Sequence, residues 1–289
     1  MITVTQFSDT HFSIPGNRSH GGFGYDTSEA FDAALAHAFG SGGGTDYAVV
    51  TGDVADHGRA DEYEVAIEAL SRIPVPTNVL PGNHDFDTPL KVSVPRPGLS
   101  MDRSQRIGPW LFLYADSNFN GREVDETGRL ADVDDRIEAD AALGPRETAW
   151  VDEMVAASDA EHCFLWMHHP PGMEGGYGSV ALDAEVAGLI ERNPSIRGVA
   201  AGHIHSDPVL RIADRPVFVS AALTISFDFE NWTTLPPGYR TYRFADDGGI
   251  ESESHLLDDD RWPRIDLPEP VIRHFKGELG WEELMASLG

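Results

Sequence analysis

The chain has 289 residues, of which 41% are apolar, and a formal net charge of −27 from 48 acidic and 21 basic side chains. A surface this negative repels nucleic acid polymers and anionic membranes, and we expect neither as a partner. No apolar run is long enough to span a bilayer, and a single cysteine, Cys163, excludes an internal disulfide. Because Met1 leads directly into a predicted strand without a signal-peptide pattern, we expect a cytoplasmic protein.

The first half of the chain alternates predicted strands and helices. The strands lie at 2–7, 47–50 and 75–80, and the helices at 28–39 and 60–71. Thr27 or Ser28 is predicted to cap the first helix. This alternation is typical of an α/β fold with a largely parallel sheet, in which ligands bind at the carboxyl ends of the strands.

The second half begins with two segments that lack a clear period. Residues 86–108 contain several prolines and are predicted to form loops, and the acidic residues 118–145 are predicted to form an insertion or a lid-forming loop. The other predicted elements are strands at 110–115, 162–167 and 197–201, helices at 146–157, 181–192 and 280–288, and hairpins joining 208–213 to 216–220 and 239–245 to 250–256. Because no repeat or linker is apparent, we expect one domain at 1–257 and a C-terminal tail at 258–289 that packs on it or serves oligomerisation.

Five short polar strings follow predicted strands. They are Asp9-Thr10-His11, Gly52-Asp53-Val54-Ala55-Asp56, Gly82-Asn83-His84-Asp85, His168-His169-Pro170 and Gly202-His203-Ile204-His205. Seven of the 12 histidines lie in or directly beside these strings. Carboxylates, imidazoles and a carboxamide are the ligand types that hold pairs of divalent metals. The five strings in this order therefore predict a two-metal hydrolytic site.

Each carboxylate or amide in these strings has an ordinary alternative when it is considered alone. An isolated Asp9 or Asp53 after a strand is usually a turn residue or a helix cap. Asn83 alone would be a turn residue, and Asp85 alone a helix cap. The metal-site interpretation therefore depends on the whole set rather than on any one member.

The histidines differ in the roles that their positions predict. His84 faces a different way from the residue before it in an extended backbone, which suits proton donation to a leaving oxygen rather than metal ligation. Asp85 is predicted to orient that imidazole. One of His168 and His169 is expected to bind metal, while the other supports it or faces the substrate. The role of His57, beside the second string, stays open.

The five motifs resemble those of the calcineurin-like metallophosphoesterase superfamily over roughly residues 2–255. In detail, Gly-Asp-Val-Ala-Asp, the prolines after His169 and the helix start at 147–150 are most similar to class III cyclic nucleotide phosphodiesterases and glycerophosphodiesterases. The resemblance implies a four-layer α/β/β/α sandwich with a dinuclear centre of iron, manganese or zinc. The implied ligands are Asp9, His11, Asp53 and His205 for one metal, and Asp53, Asn83, His168 and His203 for the other.

The resemblance further implies hydrolysis of a small phosphodiester, foremost a 3′,5′-cyclic nucleotide such as cyclic AMP, by two-metal activation of a bridging hydroxide. His84 and Asp85 are the implied catalytic residues, and a homodimer is an option. Alternatives with the same fold are a glycerophosphodiesterase, a phosphomonoesterase, a nucleotide pyrophosphatase and, more distantly, a non-catalytic scaffold.

Three positions differ from related subclasses. Asp56 stands where purple acid phosphatases carry Tyr, while His57 and Asp85 stand where Ser/Thr protein phosphatases carry Arg and Glu. These departures disfavour both subclasses. The physiological substrate, the native metal pair and the oligomeric state are left open.

Overall fold

The computed structural model describes residues 1–14, 25–40, 44–85, 87–94, 96–118, 141–173 and 178–288. The strands are β1 (Ile2–Phe7), β2 (Tyr47–Thr51), β3 (Thr77–Leu80), β4 (Leu99–Ser100), β5 (Ser104–Ile107), β6 (Trp110–Tyr114), β7 (His162–Trp166), β8 (Ile196–Ala201), β9 (Val209–Ile212), β10 (Arg215–Val219), β11 (Ser226–Asp228), β12 (Thr233–Leu235), β13 (Gly238–Phe244) and β14 (Ile250–Leu256). The helices are α1 (Thr27–Phe39), α2 (Ala60–Leu70), α3 (Asp87–Ser93), α4 (Gly144–Ala157), α5 (Val180–Arg192), α6 (Glu269–Phe275) and α7 (Trp281–Leu288).

Two mixed sheets of six strands each form the centre of the fold. Their orders are β14-β13-β1-β2-β3-β4 and β5-β6-β7-β8-β10-β9, and β11 and β12 form a separate two-stranded sheet. The first sheet is parallel from β1 to β4 and antiparallel from β1 to β14, and the second is parallel from β6 to β10 with an antiparallel strand at each edge, so both sheets are mixed rather than largely parallel. The reason is long-range pairing: β13 adds to the edge of β1, with Gln6 opposite Arg240.

Three apolar clusters define the layers. The first packs α1, α2 and α3 on the outer face of the first sheet, through residues such as Phe31, Ile67 and Leu90. The second packs α4 and α5 on the outer face of the other sheet, through residues such as Val151 and Val186. The third lies between the two sheets. The predicted α/β/β/α sandwich is therefore confirmed.

Aromatic side chains fill the layer between the sheets. Along β7 the pleat sends Phe164 and Trp166 into this layer, whereas Cys163 joins the helix-facing cluster. The Phe164 ring lies 4.9 Å from that of Phe244 and 5.0 Å from that of Trp166, between centroids. Cys163 is buried, and burial raises the pKa of its thiol, as expected for a core residue rather than a nucleophile.

Two local predictions are wrong. Residues 86–108 are not simply loops, because they contain α3, β4 and β5, and α3 is held by the buried side chain of Leu90. The cap of α1 is Asp26, whose carboxylate accepts a hydrogen bond from the Glu29 N–H, rather than Thr27 or Ser28. The predicted insertion at 118–145 falls mostly outside the described residues.

The C-terminal tail lies against the first core cluster and the β11–β12 hairpin. Trp262 is buried in that cluster, and the Thr234 N–H donates to the Ile265 carbonyl at 2.8 Å. Helix α6, which was not predicted, brings the Phe275 ring within 4.8 Å of the Phe227 ring. The domain boundary at 257 and a part in oligomerisation stay predictions. Among the described helices, none is long and apolar enough to cross a membrane.

The aromatic layer generates a prediction about stability. Phe164→Ala should lower the free energy of unfolding by about 3–5 kcal/mol, because it leaves a cavity among five aromatic rings. Urea denaturation followed by circular dichroism measures the change. Val180→Ala is the control: this side chain is 87% exposed, so the change should stay below about 0.5 kcal/mol. Equal effects of the two variants would contradict the packing described.

Candidate metal centre

The five polar strings meet at the carboxyl ends of the parallel strands. The loop after β1 lies along the loop after β2, where the Asp9 N–H donates to the Gly52 carbonyl at 3.1 Å and the His11 N–H to the Asp53 carbonyl at 2.8 Å. The loops of the second sheet are joined in the same way. All seven predicted ligand residues are thus brought into one buried region.

One group of four side chains forms a compact donor set. It comprises Asp9, His11, Asp53 and His205, whose candidate ligand atoms all lie within 4.8 Å of one another. His11 Nε2 lies 3.4 Å from Asp53 Oδ2, and His205 Nε2 lies 3.5 Å from Asp9 Oδ1. All four residues are buried, so these polar atoms face one another instead of water. A set of two carboxylates and two imidazoles fits a divalent metal.

A second group adjoins the first through Asp53. Asn83 Oδ1 lies 2.9 Å from His168 Nε2 and 3.1 Å from His203 Nδ1. His168 Nε2 is also 3.3 Å from Asp53 Oδ2, the oxygen that faces His11. The residues present therefore fit two metal ions that share one carboxylate.

Several of these residues hold an unusual backbone conformation. The φ angles of Asp9, His11, Asp53, His203 and His205 are 50°, 41°, 50°, 70° and 49°. Non-glycine residues in this left-handed region cost of order 1–3 kcal/mol each and persist only where their surroundings impose the conformation. This concentration of backbone strain coincides with the donor set.

Glycines lie where the donor side chains leave no room for a Cβ atom. Gly52 has a φ of 88°, and a Cβ there would lie 2.5 Å from His168 Nδ1 and 2.8 Å from the Gly82 backbone. A Cβ on Gly82 would overlap the Asp53 carboxylate, and one on Gly202 would overlap Ser8. The glycines of the motifs therefore have a steric role in the site.

Backbone groups orient the donors from behind. His168 Nδ1 donates to the Thr51 carbonyl at 2.8 Å, which directs Nε2 towards Asn83 and Asp53. The Asp9 carboxylate accepts from the His203 N–H at 3.0 Å. Such contacts fix the imidazole and carboxylate groups that a metal would bind.

Asp56 lies behind His11, and His84 beside it. Asp56 Oδ1 is 3.2 Å from His11 Nδ1, so this carboxylate supports the imidazole. His84 Nδ1 donates to the Asp56 carbonyl at 2.7 Å, and its ring centroid is 4.6 Å from that of His11. Burial lowers the pKa of His84. His84 is thus next to the donor set without belonging to the group around Asn83.

The prediction that Asp85 orients the His84 imidazole is wrong. Other donors take up its buried carboxylate: the N–H groups of Val54, Ala55 and Gly82 and the hydroxyl of Tyr63, all within 3.2 Å. Asp85 therefore ties the loop that follows Asp53 to the loop that carries Asn83. Burial and the charge of Asp53 raise the pKa of Asp85 to about 6.

The imidazoles nearest the carboxylates have raised pKa values. Burial lowers the pKa of His11, but hydrogen bonds and charges of Asp53 and Asp56 outweigh it and raise that pKa to about 10. Asp53 acts similarly on His168, whose pKa is raised to about 9. Burial and the charge of His168 lower the pKa of His203 to about 3. A metal bound by His11 and His168 would have to displace one proton from each imidazole.

The structure places His169 and His57, two residues near the centre whose roles the sequence left open. His169 Nδ1 lies 2.9 Å from Ser117 Oγ, and its ring is 4.3 Å from that of His203. His169 therefore packs behind a predicted ligand, and His168, His169 and His203 could themselves hold a metal. The side chain of His57 is 51% exposed at the edge of the centre.

Sequence reasoning missed an aromatic support behind His205. The Phe227 ring is nearly parallel to that of His205, at 13° and 6.2 Å between centroids, and the Phe227 N–H donates to the His205 carbonyl at 2.6 Å. Phe275 of α6 packs on Phe227 in turn. No local motif marks either phenylalanine, because both lie in other parts of the chain.

Comparison with known proteins agrees with this geometry. The family model described as calcineurin-like phosphoesterase matches residues 2–207. The chain is 25% identical to the protein named 3′,5′-cyclic adenosine monophosphate phosphodiesterase CpdA of Escherichia coli (strain K12), covering 90% of this chain and 92% of that one. It is 28% identical to glycerophosphodiester phosphodiesterase GpdQ of Enterobacter lignolyticus, covering 71% of each.

Among solved structures, the purple acid phosphatase PPD1 of yellow lupin (Lupinus luteus) seeds superposes with a TM-score of 0.57 at 12% identity, over 96% of this chain and 56% of that chain. At this identity the likeness concerns the fold alone. The family match and the buried donor set together define a metal-dependent phosphoesterase. The chain belongs to the calcineurin-like phosphoesterase family, an enzyme family that uses divalent metal ions.

The glycine beside Asp53 generates a prediction with a matched control. Gly52→Ala should lower metal affinity by about 10–100-fold, because its Cβ would displace His168. Gly98 has nearly the same φ, 89°, but a Cβ there meets nothing within 4 Å, so Gly98→Ala should cost only roughly 1–2 kcal/mol of stability. Isothermal titration with Mn²⁺ and thermal unfolding separate the effects. Unchanged Mn²⁺ binding by Gly52→Ala would refute the steric role.

The aromatic support behind His205 generates a second prediction. Phe275→Ala should weaken one of two metal-binding events about tenfold, because Phe227 loses the ring that holds it against His205. Lys276→Ala, next along the chain, removes only a contact with the Trp232 ring and should leave both events unchanged. Titration with Mn²⁺ measures both. Equal weakening of both events by Phe275→Ala would indicate general destabilisation instead.

Proposed function

We propose that the chain is a phosphodiesterase that hydrolyses a small phosphodiester, foremost a 3′,5′-cyclic nucleotide such as cyclic AMP. The observation that carries the proposal is the convergence of two donor groups on the shared carboxylate of Asp53. The chain's similarity to proteins named as a cyclic AMP phosphodiesterase and a glycerophosphodiester phosphodiesterase supports it.

The proposed ligands follow from the two groups. Asp9, His11, Asp53 and His205 would hold one metal ion, and Asp53, Asn83, His168 and His203 the other. Imidazole suits iron and zinc, whereas carboxylate and amide oxygens suit manganese, so we propose a pair drawn from these three metals. Bound there, the metals would supply a water nucleophile at neutral pH and neutralise charge on the phosphoryl oxygens.

Two further residues have proposed roles in the reaction. His84 in its doubly protonated form would donate a proton to the leaving oxygen. The Asp56 carbonyl holds His84 Nδ1, so the opposite ring nitrogen is the one that would meet the leaving group. Asp85 would act on the backbone after Asp53 and so position that carboxylate rather than His84.

Relatives of two kinds match most of the chain. The one named as a cyclic AMP phosphodiesterase covers 90% of it, and two named as glycerophosphodiester phosphodiesterases cover 71% and 96%. A glycerophosphodiester is therefore the alternative candidate. A small anionic diester is compatible with the acidic surface because bound cations dominate the field in the site. The cytoplasmic location and a homodimer stay predictions.

Turnover by the Mn²⁺-supplemented protein tests the proposal. We expect hydrolysis of cyclic AMP or a glycerophosphodiester, and its loss together with metal binding in Asp53→Ala and Asn83→Ala. His84→Ala should keep its metals but lower kcat by about 10²–10⁴-fold, as loss of a general acid predicts. His162→Ala, whose ring contacts the Asp246 carbonyl away from the strand ends that carry the donors, should change neither.

Two outcomes would count against this assignment. Full metal-dependent activity in Asp53→Ala or Asn83→Ala would show that the proposed ligands are wrong. A wild-type protein that binds Mn²⁺ and hydrolyses only phosphomonoesters would replace the proposed reaction with a phosphatase activity. Metal analysis alongside each assay separates loss of metal from loss of chemistry.

A further inference from the structure

A buried carboxylate outside the donor set holds an exposed histidine. Glu62, in the first turn of α2, is 1% exposed, and its Oε2 accepts from the backbone N–H of His57 at 2.9 Å and of Arg59 at 3.2 Å. Its other oxygen, Oε1, lies 3.1 Å from His57 Nδ1. Capping α2 needs only the backbone contacts. The contact with the ring is additional, and it fixes the orientation of His57.

His57 stands next to the proposed reaction site. Its Nδ1 is 3.4 Å from Asp56 Oδ2, and the other oxygen of Asp56 is 3.2 Å from His11 Nδ1. The Asp56 carbonyl meanwhile accepts from His84. Asp56 therefore contacts His57 on one side and both His11, a proposed ligand, and His84, the proposed acid, on the other. Unlike the buried ring of His11, the His57 side chain is 51% exposed, so its ring is open to a small molecule from the solvent side of the centre.

The two carboxylates determine what His57 offers. Carboxylate oxygens accept hydrogen bonds, so the ring nitrogen between Glu62 and Asp56, Nδ1, carries the hydrogen. In the neutral ring, Nε2 then has a free lone pair on the opposite edge. Phosphoryl oxygens only accept hydrogen bonds, so they repel the lone pair of Nε2. A hydroxyl, in contrast, can donate a hydrogen bond to it.

We propose that His57 Nε2 accepts a hydrogen bond from a hydroxyl of the group esterified to the phosphate, and that Glu62 positions it. The inference rests on the proposed function and adds a substrate feature to it: a hydroxyl near the diester, such as the ribose 2′-hydroxyl of a cyclic nucleotide. His57 is then a specificity residue, and Glu62 a positioning residue that acts through it.

The experiment compares three substrates on the Mn²⁺-loaded full chain: cyclic AMP, 2′-deoxy cyclic AMP and bis(p-nitrophenyl) phosphate. His57→Phe keeps a ring but removes the acceptor. It should lower kcat/KM for cyclic AMP about 2- to 12-fold, the value of one neutral hydrogen bond. The wild type should prefer cyclic AMP over the deoxy analogue by the same factor, and the variant should lose that preference. The kcat/KM for bis(p-nitrophenyl) phosphate, which has no hydroxyl, should be the same in the variant and the wild type.

Two further variants separate positioning from general damage. Glu62→Gln should reduce the preference for the hydroxyl while leaving bis(p-nitrophenyl) phosphate turnover unchanged, because the amide no longer fixes the hydrogen on Nδ1. His37→Phe is the control, since His37 lies exposed on α1 and contacts Tyr239 instead. It should leave all three rates unchanged.

Two results of the His57→Phe comparison overturn the proposal. An equal loss on all three substrates in His57→Phe would indicate a phosphate contact or a structural role, and an unchanged preference would show no contact with the hydroxyl. If neither cyclic nucleotide is cleaved, glycerophosphoethanolamine and its hydroxyl-free ethyl analogue take their place. A wild type that cleaves only bis(p-nitrophenyl) phosphate refutes the hydroxyl contact but keeps the diesterase, whereas a wild type that cleaves no diester refutes the proposed function itself.

Discussion

The carboxylate of Asp53 is the interaction on which the rest of the centre depends. Its Oδ2 lies within 3.4 Å of His11 Nε2 and 3.3 Å of His168 Nε2, so one oxygen joins a loop of the first sheet to a loop of the second. The other oxygen accepts from the His84 N–H at 2.9 Å. Without this negative charge, the two buried imidazoles of His11 and His168 could not both be protonated without compensation. Burying such uncompensated charges costs several kcal/mol of stability.

Placing that carboxylate requires backbone geometry that the strands alone do not supply. Asp53 takes a left-handed φ, Gly52 before it leaves room for His168, and Asp85 holds the next two peptide groups. Each contribution opposes relaxation of the loop to an ordinary turn. The strain is stable because the two sheets and their aromatic layer already fix where the loops begin.

The meeting of the five polar strings was predictable because each string follows a strand and the parallel strands end at the same edge of their sheet. The adjacency of Asn83 and His84 and the family resemblance predict different roles for these two residues. The hydrogen bond of His84 with the Asp56 carbonyl is compatible with that prediction, which stays a prediction. The partners of Asp85 were not predictable, because Val54 and Tyr63 reach it from distant positions of the chain.

The mixed character of the two sheets was not predicted for a related reason, since periodicity reports local structure and not which strands pair. Helix α3 was missed because proline argued for a loop, yet Pro89 falls in the first turn, where its missing N–H is not needed. Phe227 carries no motif, and only the folded chain brings it against His205. The antiparallel strand β13 likewise joins β1 from the opposite end of the domain.

The support that Phe275 gives to His205 through Phe227 has a consequence for biosynthesis. The ribosome makes Asp9 and His11 early, but β13 and the helix that carries Phe275 follow much later, so the donor set cannot be held in place while these segments are missing. Until then, the nascent chain presents isolated imidazoles and carboxylates that would bind cations weakly and without selectivity. A metal held by this donor set would therefore be bound late in the maturation of the chain.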